Sequence, residues 1–339
     1  MIYSSSYIWA EFKYNNEFKY MIHQLLFFIV GLLFMLIFSK IDYNIYKKHA
    51  NTFLGICFLL LIIVLIPGIG TLRNGSRSWF SFLGFSFQPS ELLKISLIIF
   101  VSKYLEKNNN IKRNTFKFMF PILIVLIVFF FIILLEPDFG SAMVIVCSII
   151  GLIFSSGCDI SIFIKLGIVG IIGIIILILI APYRLDRITS FINRWKDPLG
   201  SGFQMIQSLY AIGPGGLLGF GFMNSRQKHF YLPEPQTDFI FSIICEEFGF
   251  IGALFLLSVF VILYYNIIKV ALNSTDLFGK YLVFGLCFLL LFQTLLNLCV
   301  VVGLVPITGV TLPFISYGGS SLLVSMISIG IILNVSKCN

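Results

Sequence analysis

Charge is what this sequence has least of. Only 11% of its 339 residues are Asp, Glu, Lys or Arg, against about 25% in an ordinary soluble domain. Hydrophobic residues make up 58%, and the mean hydropathy is +1.00. Too little polar surface remains to cover a globule in water, which excludes a soluble helical protein. Paired cysteine spacing is also missing. Cys57, Cys147, Cys158, Cys245, Cys287, Cys299 and Cys338 stand far apart, within or at the ends of apolar segments. They offer neither a disulfide framework nor a thiolate metal site. His23, His49 and His229 are scattered singly and form no ligand pattern. The stretch from Met1 to Lys19 is polar and aromatic and lacks the apolar core of a cleavable signal peptide. The net charge of +8 does not imply nucleic acid. In so apolar a chain it is the cytoplasmic excess of Lys and Arg expected of a membrane protein.

Long apolar runs are what the sequence does contain. A helix crosses the hydrocarbon core with about 20 apolar residues, and nine segments qualify. They fall roughly at 21–39, 51–68, 89–106, 117–136, 139–157, 160–181, 238–268, 280–304 and 310–334. The expected fold is therefore an all-α polytopic membrane protein. Lys40, Lys47, Lys48, Lys103, Lys107, Lys112, Arg113, Lys117, Lys269, Lys280 and Lys337 fall on one side when the spans alternate. That side is the cytoplasm. The opposite side receives 73–87, the Glu136-Pro137-Asp138 turn, the long 182–237 segment and the turn at Pro306. Nine spans with a cytoplasmic C-terminus leave the N-terminus outside.

Ionisable groups beside or within spans are costly and mark function or pairing. Glu91 and Lys94 open the third span at i, i+3, one helical face, behind Pro89 in the first turn. A charged wall to a polar cavity and a structural pair both fit, the structural pair slightly better. Glu246 and Glu247 lie roughly 12–14 Å along the helix beyond Asp238. Catalysis, proton relay and structural pairing all stay open for them. Asp138, between Pro137 and Phe139-Gly140, reads as turn and cap chemistry.

The 182–237 segment is far longer than an ordinary connection. Phe191, Trp195, Phe203, Met205, Ile206, Leu209 and Tyr210 give it apolar surface to bury. Gly200, Gly202, Gly213, Gly215, Gly216, Gly219, Gly221, Pro198 and Pro214 supply its turns. With Arg184, Arg187, Arg194, Lys196, Arg226 and Lys228, it is expected to form an ordered extracytoplasmic cap with cations at headgroup height, suited to a phosphate-bearing lipid. Asp238 closes the segment. Helix capping explains an Asp there. The flanking Pro233 and Pro235, the nearby Glu234 and the preceding cations also fit a general base beside a phosphate site.

Taken in order, Asn74-Gly75-Ser76-Arg77-Ser78-Trp79, Phe87-Gln88-Pro89-Ser90-Glu91, Pro137-Asp138-Phe139-Gly140, Gly213-Pro214-Gly215-Gly216, Ser225-Arg226-Gln227-Lys228, Leu232 to Phe241 and Pro313 to Ser321 resemble the SEDS family. These are polytopic peptidoglycan glycosyltransferases of shape, elongation, division and sporulation. The wording is closer to the division and sporulation branch, FtsW and SpoVE, than to RodA. The resemblance implies ten spans, and Met1 to Ser6 looks like the outer end of the family's first helix. It implies Asp238 as catalytic base and Glu234 as a supporting acid. Arg77, Glu91, Lys94, Arg226 and Lys228 would then surround a polar cavity. The implied reaction polymerises lipid II with inversion and expels undecaprenyl pyrophosphate, in the bacterial cytoplasmic membrane with a class B penicillin-binding protein as partner. Departing pyrophosphate needs cations, from Arg and Lys or from a divalent metal; no metal ligands are assigned. A lipid II flippase is the chief alternative and a non-catalytic scaffold the third. A transporter needs polar groups through the midplane, whereas most charges here cluster towards the outer face.

Overall fold

The computed structural model describes residues 1–73, 76–82, 85–109, 116–180, 191–200 and 202–338. Arg184, Arg187, Lys112, Arg113 and the Asn74-Gly75 pair fall outside them. Eleven α-helices lie among the described residues. They are α1 (Ile2–Tyr14), α2 (Lys19–Phe38), α3 (Tyr43–Leu65), α4 (Pro89–Lys107), α5 (Phe116–Leu135), α6 (Phe139–Ser155), α7 (Ile160–Ile180), α8 (Phe203–Ile212), α9 (Ile240–Asn273), α10 (Leu277–Val301) and α11 (Gly319–Lys337). Six of these, α2, α3, α5, α9, α10 and α11, are long and apolar enough to cross a bilayer among the described residues.

Two expectations need correcting. The fold is not all helix, because Thr71–Arg73, Ser76–Phe82 and Phe85–Phe87 form strands β1 to β3 of a small antiparallel sheet. The run Ser76-Arg77-Ser78-Trp79-Phe80-Ser81-Phe82 carries aromatics and small hydroxyl residues in place of helix formers, which suits a strand. Leu72 pairs with Arg77, and Ser81 with Ser86. The last helix starts at Gly319, not near 310. Residues 310–318 are drawn into a loop because side chains outbid helical bonding: Ser316 Oγ accepts from Leu312 N at 2.9 Å, and Phe314 sits at φ 65°.

The N-terminal stretch is helical from Ile2 to Tyr14, and its first residues are those that resemble the end of a helix. Its end is set by Asn15, whose left-handed φ of 53° lets the backbone N–H close on Glu11 O.

The chain gathers into two compact units. In one (27–162, 263–292, 319–339) the axis is α4, packed by α3, α6 and α11. Leu93, Leu97, Ile98 and Leu105 of α4 are almost fully buried. The other unit (1–26, 163–262, 293–318) is organised around a break in α9. Gly249 has φ 63° and ψ −160°, a conformation that only glycine adopts readily.

The interruption frees backbone groups that need partners, and the Gly213–Gly221 segment supplies them. Phe220 N and Gly221 N donate to the carbonyls of Glu246 and Glu247, both at 2.9 Å. Beyond the break, Phe250 N donates to Gly216 O at 2.9 Å and Ile251 N to Leu217 O at 3.1 Å. Glycine is required for this approach: a Cβ on Gly249 would stand 2.5 Å from Gly219 N and from Leu217 C and O.

Candidate active site

Asp238 lies in the turn just ahead of α9, so its carboxylate is outside the spanning helix. Part of its surface stays open, yet the protein around it pushes its carboxyl up from 3.8 to about 6. Burial is the main cause, and the negative charge of Glu234 adds to it. Two hydrogen bonds pull the other way, from Thr237 and from the backbone N–H of Asp238 itself. Thr237 Oγ lies 2.9 Å from Asp238 Oδ1 and 2.8 Å from Glu234 O, so one hydroxyl proton is shared between them. Glu234 is exposed and sits at φ 46°, in left-handed space. A non-glycine residue there costs on the order of 1–3 kcal/mol, strain that persists only where the surroundings fix it.

The surroundings here come from α10 and the 310–318 loop. Asn297, wholly buried, donates through Nδ2 to Asp238 O at 2.7 Å and to Val310 O at 2.8 Å. Gln293 donates to Thr311 O at 3.2 Å. Tyr317 N donates to Gln236 O at 2.8 Å, and buried Gln24 of α2 donates to Ser316 O at 3.1 Å. The sequence reading missed Asn297 and Thr237. A signal existed: Gln293, Thr294 and Asn297 put three polar side chains on one face of an apolar helix, spacing that marks a polar contact within a membrane.

The two cations of the Ser225-Arg226-Gln227-Lys228 motif are separated by the fold. Lys228 is 1% exposed and fully engaged. Its Nζ lies 3.0 Å from Glu247 Oε1, donates to Met223 O at 2.6 Å and stands 5.1 Å over the Tyr7 ring. Ser4 of α1 donates to the same Glu247 oxygen at 2.5 Å. Removing one partner of such a buried ion pair costs about 3–5 kcal/mol, so this arrangement clasps α1, the loop and α9 together. Arg226 is exposed instead, its guanidinium 5.1 Å over the Phe220 ring. With Met223, Asn224, Ser225, Gln227, His229 and Tyr231 it lines a cavity of about 550 Å³. Asp238 and Glu234 are not among the lining residues. No three His, Cys, Asp or Glu side chains gather into a metal cage among the described residues. A divalent cation held chiefly by phosphate oxygens with one or two carboxylates needs no such cage.

The remaining expected residues belong to the other unit. Glu91 and Lys94 pair at 2.7 Å on α4, both buried, as the i, i+3 spacing allows. Arg77, on β2, is partly buried, with its aliphatic stem beside Gly70. Asp138 caps α6 by accepting from Ser141 N at 3.1 Å and also accepts from Gln88 Nε2 at 2.7 Å. Glu136, fully buried in the same turn, has its carboxyl pushed up to about 9 by burial and by the neighbouring Asp138.

The Glu91–Lys94 pair carries a direct test. Glu91→Gln leaves a buried ammonium without its carboxylate and should cost about 3–5 kcal/mol. Glu106→Gln breaks only the partly exposed pair with Lys47, worth about 0–1 kcal/mol. Thermal unfolding in detergent should rank the two variants in that order. The swap Glu91→Lys with Lys94→Glu should recover part of the loss, incompletely because a carboxylate suits the first helical turn better than an ammonium. Equal stability of Glu91→Gln and Glu106→Gln would overturn this account.

A multi-pass helical scaffold with a partly buried acid at Asp238 and, in the same compact unit, a cavity lined by Arg226 is what these features define. Comparison with known proteins then gives the family. The whole chain, residues 1–339, matches the FtsW/RodA/SpoVE family of cell cycle proteins. It is 48% identical over 338 residues to stage V sporulation protein E of Bacillus subtilis, covering 99% of this chain and 92% of that one. A probable peptidoglycan glycosyltransferase FtsW of Geobacter sp. (strain M18) is 41% identical over 337 residues, with the same coverage. Among solved structures, a chain of a peptidoglycan synthase complex that coordinates polymerization and crosslinking superposes with TM-score 0.78. It is 30% identical, covering 94% of this chain and 90% of its own. Thermus thermophilus RodA superposes with TM-score 0.70 at 26% identity, covering 99% and 93%. The chain belongs to the FtsW/RodA/SpoVE family.

Proposed function

We propose that this chain is an inverting peptidoglycan glycosyltransferase that polymerises lipid II, in division or sporulation, with Asp238 as its general base. The observation that carries the residue assignment is a carboxylate held near pKa 6 by burial beside Glu234, in the same compact unit as a cavity that presents Arg226. A base titrating near neutrality is ionised at working pH yet basic enough to take a hydroxyl proton.

In the proposed reaction the acceptor sugar's 4-hydroxyl gives its proton to Asp238 as its oxygen attacks the anomeric carbon of the growing strand's muramyl unit. The glycosidic bond forms as the bond to undecaprenyl pyrophosphate breaks, through an oxocarbenium-like transition state. Arg226 meets the negative charge on the departing pyrophosphate, the kind of electrostatic help such a leaving group needs. Glu234 keeps Asp238 basic through its charge. Alternation of the nine expected spans, with Lys and Arg on the cytoplasmic side, supports a site on the extracytoplasmic face of the bacterial cytoplasmic membrane, where lipid II presents its sugars. The named activity of the FtsW relatives supports an enzyme over a flippase. The complex among the structural neighbours supports a transpeptidase partner of the class B penicillin-binding type.

The test is glycan synthesis from lipid II by the purified chain, alone and with that partner, read by chain length. Polymer in either condition is expected. No polymer in both, together with lipid II movement across vesicles, would establish the flippase instead.

A further inference from the structure

Glu246 is a carboxylate in search of a reason. It is 2% exposed, lies within α9, and has no Lys, Arg or His within ion-pair distance among the described residues. Burying a charge without a counter-ion requires a full set of hydrogen bonds, and one short loop provides them. Ser225 Oγ donates to Oε2 at 2.5 Å, and Arg226 N donates to Oε1 at 2.8 Å. Gln227 N lies between the two oxygens, 3.3 Å from Oε1 and 3.4 Å from Oε2. The backbone carbonyl of the same residue accepts from Phe220 N at 2.9 Å. Phe220 is the ring on which the Arg226 guanidinium rests. Glu246 thus anchors both ends of one arrangement: its carboxylate holds the Arg226 backbone, and its carbonyl holds the platform beneath the guanidinium.

The adjacent carboxylate has a different task. Successive residues on a helix point about 100° apart, so Glu247 faces Ser4 and Lys228 while Glu246 faces the 225–227 turn. Lys228 is consumed by that clasp, and Arg226 makes no ion pair among the described residues. Met223 at φ 65° and Phe230 at φ 64° bracket the turn. Left-handed non-glycine residues at both ends store strain that something must hold in place, and Glu246 binds the middle.

We propose that Glu246 is a positioning residue that acts through Arg226, holding its guanidinium in the cavity to bind the pyrophosphate of a polyprenyl lipid. The nature of the lipid rests on the lipid II reading above; the dependence of Arg226 on Glu246 rests on the geometry alone. Glu246→Gln keeps the shape but turns one acceptor oxygen into an NH₂ donor facing donors, which should release the turn.

The experiment measures binding of undecaprenyl pyrophosphate to the full chain in detergent, with inorganic pyrophosphate as a second ligand. Glu246→Gln and Arg226→Ala should each weaken lipid pyrophosphate binding about tenfold. The double variant should be no worse than the weaker single, because both act through one contact. In polymerisation assays Glu246→Gln should raise KM for lipid II and lower kcat in the same proportion as Arg226→Ala does, whereas general loss of structure lowers kcat and leaves KM where it was. Should Glu246→Gln fail to accumulate, Ser225→Ala removes a single donor from the carboxylate. It should weaken binding by about threefold while lowering the melting midpoint by only a few degrees, and unchanged binding would sink the idea. Additive losses in the double variant would also overturn it. Inorganic pyrophosphate bound as tightly as the lipid, with the same sensitivity, would remove the lipid from the assignment. Expected binding losses in a protein that makes no glycan would refute the glycosyltransferase reading and leave the role of Glu246 standing.

Discussion

Asp238→Asn is expected to reduce glycan polymerisation by about two orders of magnitude or more, the usual scale for a general base, and to leave the protein folded. The fold should survive because, among the described residues, the side chain accepts from Thr237 Oγ at 2.9 Å and from its own backbone N–H. An amide oxygen can accept both. The backbone, moreover, is held from outside by Asn297 through the Asp238 carbonyl, a contact that the substitution does not touch. The sign of the pKa shift agrees. Burial raises the folded value to about 6 from 3.8, so the charged form is penalised in the folded state. Between those two values stability falls as pH rises, and at neutral pH the uncharged Asn removes the penalty. Activity runs the opposite way. The base must be ionised, so kcat/KM for the unsubstituted protein should fall about tenfold per pH unit below about 6. Residual activity of the Asn variant should lack that limb. Near-normal polymer from Asp238→Asn, or an acid limb that persists in it, would take Asp238 out of the mechanism.

The second large effect lies about ten residues further on. Gly249→Ala places a methyl group 2.5 Å from the backbone of Leu217 and Gly219, where no flexible side chain can yield. It also forces an alanine to φ 63° and ψ −160°. Strain of this kind costs about 1–3 kcal/mol, and the displaced turn puts at risk four backbone hydrogen bonds worth about 0.5–1.5 kcal/mol each. Membrane levels should drop several-fold, and any surviving protein should melt at lower temperature. Gly55→Ala is the matched control. Gly55 lies in α3 with open space around its Cα, and alanine there should stabilise the helix by up to about 1 kcal/mol. Equal levels of the two variants would show that the break in α9 is not what the loop is built on.

How much of this could be read in the sequence varied with the range of the interactions involved. Each expected span contains a helix because apolar length is a local property. The Glu91–Lys94 pair and the Asp138 cap were legible for the same reason, since three residues of helix or one turn decide them. The sheet at 71–87 was not, because its strands are short and their signal is weak beside that of the flanking helices. The start of α11 was misjudged because Val310 and Leu312 look apolar in isolation, while Asn297, which holds the Val310 carbonyl, comes from α10 and Ser316 bonds Leu312 N from within the loop itself. Arg226 and Lys228 show the limit most clearly. They are cations two residues apart in one motif, and the sequence gives them the same reading. Their separation depends on Ser4, 224 residues away, and on which of two adjacent glutamates each meets.

The same long-range bracing sets an order of assembly during synthesis. Asp238 leaves the ribosome before α10 and before Tyr317, on which its setting depends. At about 5–20 residues per second, the intervening chain takes on the order of 4–16 s to appear. Over that interval the Asp238 carboxylate, proposed as the base, the strained Glu234 and the 225–227 turn exist without all of their supports. A chain stopped short of residue 297 would therefore contain every proposed catalytic and cation side chain and still lack the site.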